Sequence, residues 1–305
     1  MIDIIIPAYN AHKTIRNTLI SISLQSIKED LSVYIVNDGS DRDYSSEVEL
    51  FKNKINIKEL KLEENRGPGV ARQYGLDNSN NPYIVFIDAD DMFANTYSLK
   101  NLYETMISDN NEMAVGKMIQ ESQGRYDYFD NHMGCLHGKM YSRNYIKKYN
   151  FKFNSTRSSE DHSFNRLYTI SEPKVGYTNE LIYFYKRDNE NSITNQENYE
   201  IESLNWYIYN AIWTVEEGKK RNFSMYEMAR IIYTAFYYVY FEYLYTKKQD
   251  NRDKILEYLK PIIKYYIEFD KYIDNYEKSL IYKDFEEYFY DIPDISIKNF
   301  LEKIE

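Results

Sequence analysis

The apolar run Tyr83-Ile84-Val85-Phe86-Ile87 ends abruptly in Asp88-Ala89-Asp90-Asp91, three acids over four positions. A buried strand that delivers clustered carboxylates to its carboxyl end places them where open α/β sheets bind ligands, and metal-phosphate chemistry is a common reason for such clustering. Side chains alternate along extended backbone, so Asp88 and Asp90 share a side, one turned toward a ribose and the other toward a cation. A divalent ion bridging a diphosphate would neutralise the charge that grows on a leaving group. These residues predict an enzyme that handles a phosphorylated donor.

Four further clusters could serve the same chemistry. Pro7-Ala8-Tyr9-Asn10 ends one apolar run and opens a helical pattern, a tight loop with free backbone N–H groups for a nucleotide or phosphate. Asn37-Asp38-Gly39-Ser40 holds a carboxylate at a strand end, able to accept an imino N–H such as uracil offers at N3; an Asx-turn is the plainer reading. Asn65-Arg66-Gly67-Pro68-Gly69-Val70-Ala71-Arg72 lets backbone approach a ligand closely and supplies two arginines for a base or phosphate, or is simply a loop entering a helix. Ser158-Ser159-Glu160-Asp161-His162 looks like a helix start with acids complementing the dipole. Beside a metal-diphosphate site, one of those acids becomes a candidate general base for an acceptor hydroxyl.

Positioning these clusters requires a sheet. Strand patterns at residues 2–6, 33–36, 55–62, 83–87, 113–120 and 177–185 alternate with helical patterns that begin after Asn10 and recur at 69–77, 99–108 and 159–170. The fold class is therefore α/β, a Rossmann-like, mostly parallel sheet flanked by helices. Right-handed crossovers would put Tyr9, Asp38 and Asp88 on one edge of it. Residues 186–198 read as a polar loop, and helical patterns fill the remainder, giving an expected division into 1–198 and a helical, tyrosine-rich 199–305.

Composition narrows the function classes. The 305 residues carry a formal charge of -10, which disfavours a broad grip on nucleic acid. The single cysteine, Cys135, excludes an internal disulfide or a cysteine-cluster zinc site. The first residues lack the basic and long apolar regions of a signal peptide, and the apolar stretch 231–245 carries Thr234 and Glu242 and is shorter than the ~20 residues that span a bilayer. A cytoplasmic protein without transmembrane segment is expected, its helices free to serve a homo-oligomer or a membrane surface, although core packing is the plainer use of that stretch. The 34 tyrosines combine apolar faces with hydroxyls that can bond a sugar or a neighbour.

Taken in order, Pro7-Ala8-Tyr9-Asn10, Asn37-Asp38-Gly39-Ser40, Asn65-Arg66-Gly67 with Ala71-Arg72, Asp88-Ala89-Asp90-Asp91 and Glu160-Asp161 resemble the family 2 glycosyltransferases of GT-A fold, over about the first two thirds of the chain. The resemblance implies a nucleotide-sugar donor, a Mn²⁺ or Mg²⁺ ion at the DXD motif, and transfer with inversion. It also implies that Asp38 holds the base, usually uracil, with Arg72 beside it and Pro7, Ala8 and Tyr9 lining the place, while Arg66 reaches base or phosphate. Asp88 and Ala89 would lie near the ribose, with Asp88 also near the metal. Asp90 would be the main metal ligand and Asp161 the catalytic base, with Glu160 as fallback.

His137 and Lys139 stand where related enzymes often carry an acceptor-side loop, and His162 has no assigned role. The Gln-x-x-Arg-Trp motif of processive synthases is absent, so single or few additions are expected. A glycan, an envelope polymer, another hydroxyl compound and, less favoured by charge, a modified DNA base are all admissible acceptors. The alternatives are a nucleotidyltransferase of similar fold, which would open with a glycine- and arginine-rich phosphate loop, and a degenerate transferase acting as a binding module.

Overall fold

The structure, a computed structural model, describes the chain apart from residues 28–29, 131–132, 188–198, 287–299 and 302–305. It divides into two compact units, Met1–Ser192 and Ile193–Glu305. Most of the polar stretch read as a loop, 188–198, lies outside the described residues.

The first unit is a mixed sheet flanked by helices. Strands β1 (Ile2–Ala8), β2 (Leu31–Asp38), β3 (Asn56–Leu62) and β4 (Tyr83–Phe86) run parallel in the order β3-β2-β1-β4. Beyond β4 the path runs through β8 (Lys139–Ser142), β6 (Met113–Ser122), β9 (Val175–Lys186) and the two-residue β5 (Met92–Phe93), while β7 (Arg125–Phe129) forms a hairpin with β6. Antiparallel pairing enters at β4–β8, whereas β6 and β9 run parallel. Helices α1 (Ile15–Ser23), α2 (Ser45–Phe51), α3 (Pro68–Asp77), α4 (Ser98–Ser108), α5 (Arg143–Tyr149) and α6 (Glu160–Thr169) complete the unit.

The apolar runs have this form because the central strands are covered on both faces. Ile2, Ile4 and Ile6 join one buried cluster with Ile15, Leu19 and Ile22, the α1 residues that recur at helical spacing. Ile5 points the other way, to α3, where a Cβ on Gly75 would come within 2.5 Å of its Cγ2. Register then fixes the edge. Ala8 pairs with Asn37 and Ile5 with Phe86, so Tyr9 and Asp38 stand at one level at their strand ends and Asp88, level with Pro7, lies two residues short of them on the same edge.

The opposite edge is held by a buried charge. Asp3 is fully buried and accepts from Arg143 Nη2 at 2.8 Å and Asn81 N at 2.7 Å, while Arg143 also donates to the carbonyls of Leu76 and Asn81. One guanidinium thus joins β1, the end of α3 and the start of α5.

In the second unit, α7 (Tyr199–Lys220), α8 (Met225–Tyr245), α9 (Gln249–Phe269) and α10 (Asn275–Glu286) pack together, with α8 against each of the other three. The apolar stretch 231–245 forms most of α8 and is largely buried there, its Tyr233, Phe236, Tyr237 and Phe241 meeting the rings of Tyr266 and Tyr282. Tyr233 donates its hydroxyl to Asp270 at 2.5 Å, so this tyrosine fills space and satisfies a polar end at once. Among the described residues, no helix is long and apolar enough to cross a membrane.

Candidate active site

The site begins at the ends of β1 and β2. Asp38 is buried, and its two oxygens accept the N–H groups of Arg66 at 2.9 Å and Gly67 at 2.8 Å. Burial raises its pKa while those N–H groups and the nearby Arg157 and Arg66 charges oppose the rise. The Asx-turn falls to its neighbour: Asn37 Oδ1 accepts Ser40 N at 2.8 Å. Asp38 instead ties β2 to the loop entering α3, and Arg66 itself is exposed.

Around this tie, Pro7 is half-buried, Ala8 is buried and Tyr9 is 51% exposed. Asn10 does not cap α1, whose N-cap is Thr14. It has a φ of 50° and exchanges hydrogen bonds with Asp41, drawing the two strand-end loops together.

Two strands away, at the end of β4, a denser constellation forms. Arg72 is buried, and its Nη2 donates to Asp88 Oδ1 at 2.5 Å while its Nη1 donates to Glu160 Oε1. Both terminal nitrogens are thus engaged by carboxylates, where the resemblance placed this arginine beside the base. Burial disfavours its charge, but Asp88 and Glu160 outweigh that and keep it a cation. For Asp88, burial likewise opposes ionisation, and Arg72 and His137 hold the carboxyl well below the usual range. Glu160 is pushed the other way, up to about 7, by burial and the adjacent Asp161 charge against the pull of Arg72.

Asp91 and His137 complete the group. Asp91 is fully buried, accepting the Tyr183 hydroxyl at 2.6 Å and Lys186 N at 3.0 Å. Burial and the neighbouring Asp90 and Asp88 charges raise its pKa well above the usual value. His137 stacks on Tyr183 with centroids 4.5 Å apart, its Nε2 3.5 Å from Asp88 Oδ2. Burial disfavours its protonation, but Cys135 and Asp88 raise its pKa well above 6.5.

One ligand atom each from Asp88, Asp91 and His137 lies within 4.8 Å of the others. Two carboxylates and an imidazole suit a divalent ion such as Mn²⁺, and each carboxylate oxygen keeps a second lone pair beyond its present bond. A cation held here would take the place of any proton on the liganding imidazole nitrogen. Asp90, expected as the main ligand, is half-buried next to this trio and outside it, while Ala89 is buried.

On the third side, α6 begins with Glu160 and Asp161 after Ser159, which has a φ of 62° and makes no side-chain cap. A non-glycine residue in that region costs on the order of 1 kcal/mol and turns the chain sharply into the helix. α3 approaches closely because residue 69 is glycine: a Cβ there would lie 2.4 Å from Asn154 O and 2.7 Å from Glu160 Cγ. Asp161 is half-buried and its charge acts on both Arg72 and Lys139, which puts it beside the same constellation. His162, its half-buried neighbour, shows nothing that gives it a part.

The acids of the sequence motifs therefore gather in two adjoining groups. Asp38 with Arg66 and Gly67 forms one, and Asp88 with Arg72, Glu160 and neighbouring Asp161 the other. Asp91 is inside the second group although the motif reading gave it no role, and Tyr183, which orients it, comes from a strand that carried no motif. Their only sequence signal was the third acid of the run and a tyrosine at an apolar strand position.

Residues 3–169 match the Glycosyl transferase family 2 profile. Glycosyltransferase GlyA of Streptococcus pneumoniae is 28% identical over 216 residues, 61% of this chain and 30% of that one. Minor teichoic acid biosynthesis protein GgaA of Bacillus subtilis is 28% identical over 218 residues, 62% of this chain and 48% of that one. The aligned region thus spans less than half the length of either relative. Among solved structures, S. aureus TarS 1–349 in complex with UDP-GlcNAc superposes with a TM-score of 0.71 at 18% identity, covering 97% of this chain and 94% of that one.

Proposed function

The chain belongs to glycosyltransferase family 2, and we propose that this glycosyltransferase moves a sugar from a UDP-sugar to a hydroxyl of a cell-envelope glycopolymer with inversion at the anomeric carbon. The observation that carries the reading is the meeting of Asp88, Asp91 and His137 with the Glu160-Asp161 helix start, joined through Arg72. A donor-side cluster and an acceptor-side acid in contact are what a single displacement requires. Supporting the donor is the UDP-GlcNAc complex of TarS; supporting the acceptor is the teichoic acid role named for GgaA.

The residues divide the work as follows. Asp38, with Pro7, Ala8, Tyr9 and Arg66 around it, receives the base, and Asp88, separated by the width of β1, receives the ribose. Two strand spacings, roughly 10 Å, let the nucleoside lie across β1. A Mn²⁺ or Mg²⁺ ion held by Asp88, Asp91 and His137, with Asp90 alongside, would supply positive charge to the departing diphosphate. Asp161 removes the acceptor proton as the new bond forms, and Glu160 fixes the first turn that carries it. Inversion needs one base, in contrast to the pair of acids that flank a hydrolysed glycosidic bond.

Asp161→Asn tests this assignment. UDP affinity should stay within about twofold while turnover falls about 10²–10⁴-fold, the contribution of a positioned base. Retained turnover would remove Asp161 from the role, and a parallel loss of UDP binding would mean it serves the donor.

A further inference from the structure

We propose that Lys139 is a positioning residue, whose buried ammonium fastens the loop 135–138 so that His137 is held against Asp88 and Tyr183. The inference rests on the donor-site reading above and adds to it a residue that touches neither sugar nor nucleotide.

Lys139 opens β8, where it pairs with Val115 of β6, and it is fully buried. A buried ammonium is costly unless its protons are bonded. Its Nζ donates to the carbonyl of Cys135 at 2.6 Å and to that of His137 at 3.3 Å. Both acceptors lie on the loop just before the strand, so the side chain folds back and cross-links the loop to its own anchor.

The other end of the loop is fixed by backbone. Gly138 has a φ of 66°, and its carbonyl accepts Gly116 N at 2.9 Å. With the carbonyls of residues 135, 137 and 138 all bonded to the β6–β8 sheet, the imidazole between them has little freedom. It lies nearly parallel to Tyr183, at 11°, with Nε2 toward Asp88. An uncharged apolar side chain would fill the same space but leave those two carbonyls without this donor.

The test is a double-mutant cycle with UDP and Mn²⁺ as probes, read by calorimetry, beside the imidazole ¹⁵N spectrum of the four histidines. Lys139→Met should move the His137 resonances, identified by their absence in His137→Ala, and leave those of His12 in place. It should weaken Mn²⁺-dependent UDP binding at least tenfold in the wild-type background and less than twofold in the His137→Ala background, because residues acting as a unit are non-additive. Should Lys139→Met not fold, Lys139→Gln, which keeps N–H donors without charge, takes its place and should move the same resonances less.

Unmoved His137 resonances, or equal losses of binding in both backgrounds, would overturn the inference. Absence of Mn²⁺-dependent UDP binding in the wild type would count against the donor reading itself, while the histidine spectrum would still decide the part played by Lys139.

Discussion

Arg72 shows how one side chain can join two halves of a site. Its guanidinium touches Asp88 on the donor side and Glu160 at the start of the acceptor-side helix, and its Nε is buried without a hydrogen-bond partner among the described residues. Glu160 bears the cost of that crowding, since burial lifts its pKa to about 7 from an ordinary 4.5. The native state then holds a proton there more tightly than the unfolded chain, so this group's contribution to stability falls as pH rises from about 4.5 to about 7. Glu160→Gln, which mimics the protonated form, should melt close to wild type at pH 5 and higher than wild type at pH 7.5, with lower turnover at the higher pH. Equal melting differences at both pH values, by calorimetry, would contradict the assigned ionisation.

The elements carry the site through their ends, and those ends were the most legible part of the chain. The apolar strands read correctly to within two residues because burial on both faces makes them continuous in hydrophobicity, although β1 does not stop at Pro7 but pairs with β2 through Ala8, and β2 runs on to Asp38. The acids at 38 and 88 were legible for the same reason, while those at 160–161 were legible as the acidic first turn of a helix. Less legible were β5, with two residues, and β7, whose exposed Arg125, Tyr126, Asp127 and Tyr128 carry no burial pattern. The partners of Arg72, the burial of Asp91 and the fold-back of Lys139 depend on contacts between segments far apart in sequence, so no local pattern could report them. The same holds at the far edge, where Arg143 neutralises Asp3 and bonds two carbonyls. Arg143→Ala should destabilise the protein by about 3–5 kcal/mol in urea unfolding, because it strands a buried carboxylate. A loss under ~1 kcal/mol would show the pair to behave like a surface contact.

At the scale of the molecule, the family profile covers residues 3–169, within the first unit, and the helices of the second add a buried aromatic core of their own. Tyrosines pack in both units, as Tyr44, Tyr141 and Tyr168 do in the first and Tyr233, Tyr237 and Tyr240 in the second, with hydroxyls reaching acids as Tyr233 does to Asp270 and Tyr258 does to Glu202. Donor chemistry, by contrast, rests on few residues, and it is there that the account stands or falls. Titration of the wild-type chain and of Asp88→Ala with UDP, each with Mn²⁺ and with chelator, is the most direct measurement. The account predicts saturable one-to-one binding by the wild type that requires the cation and is lost in Asp88→Ala; binding that ignores the cation, or survives unchanged in Asp88→Ala, would contradict it.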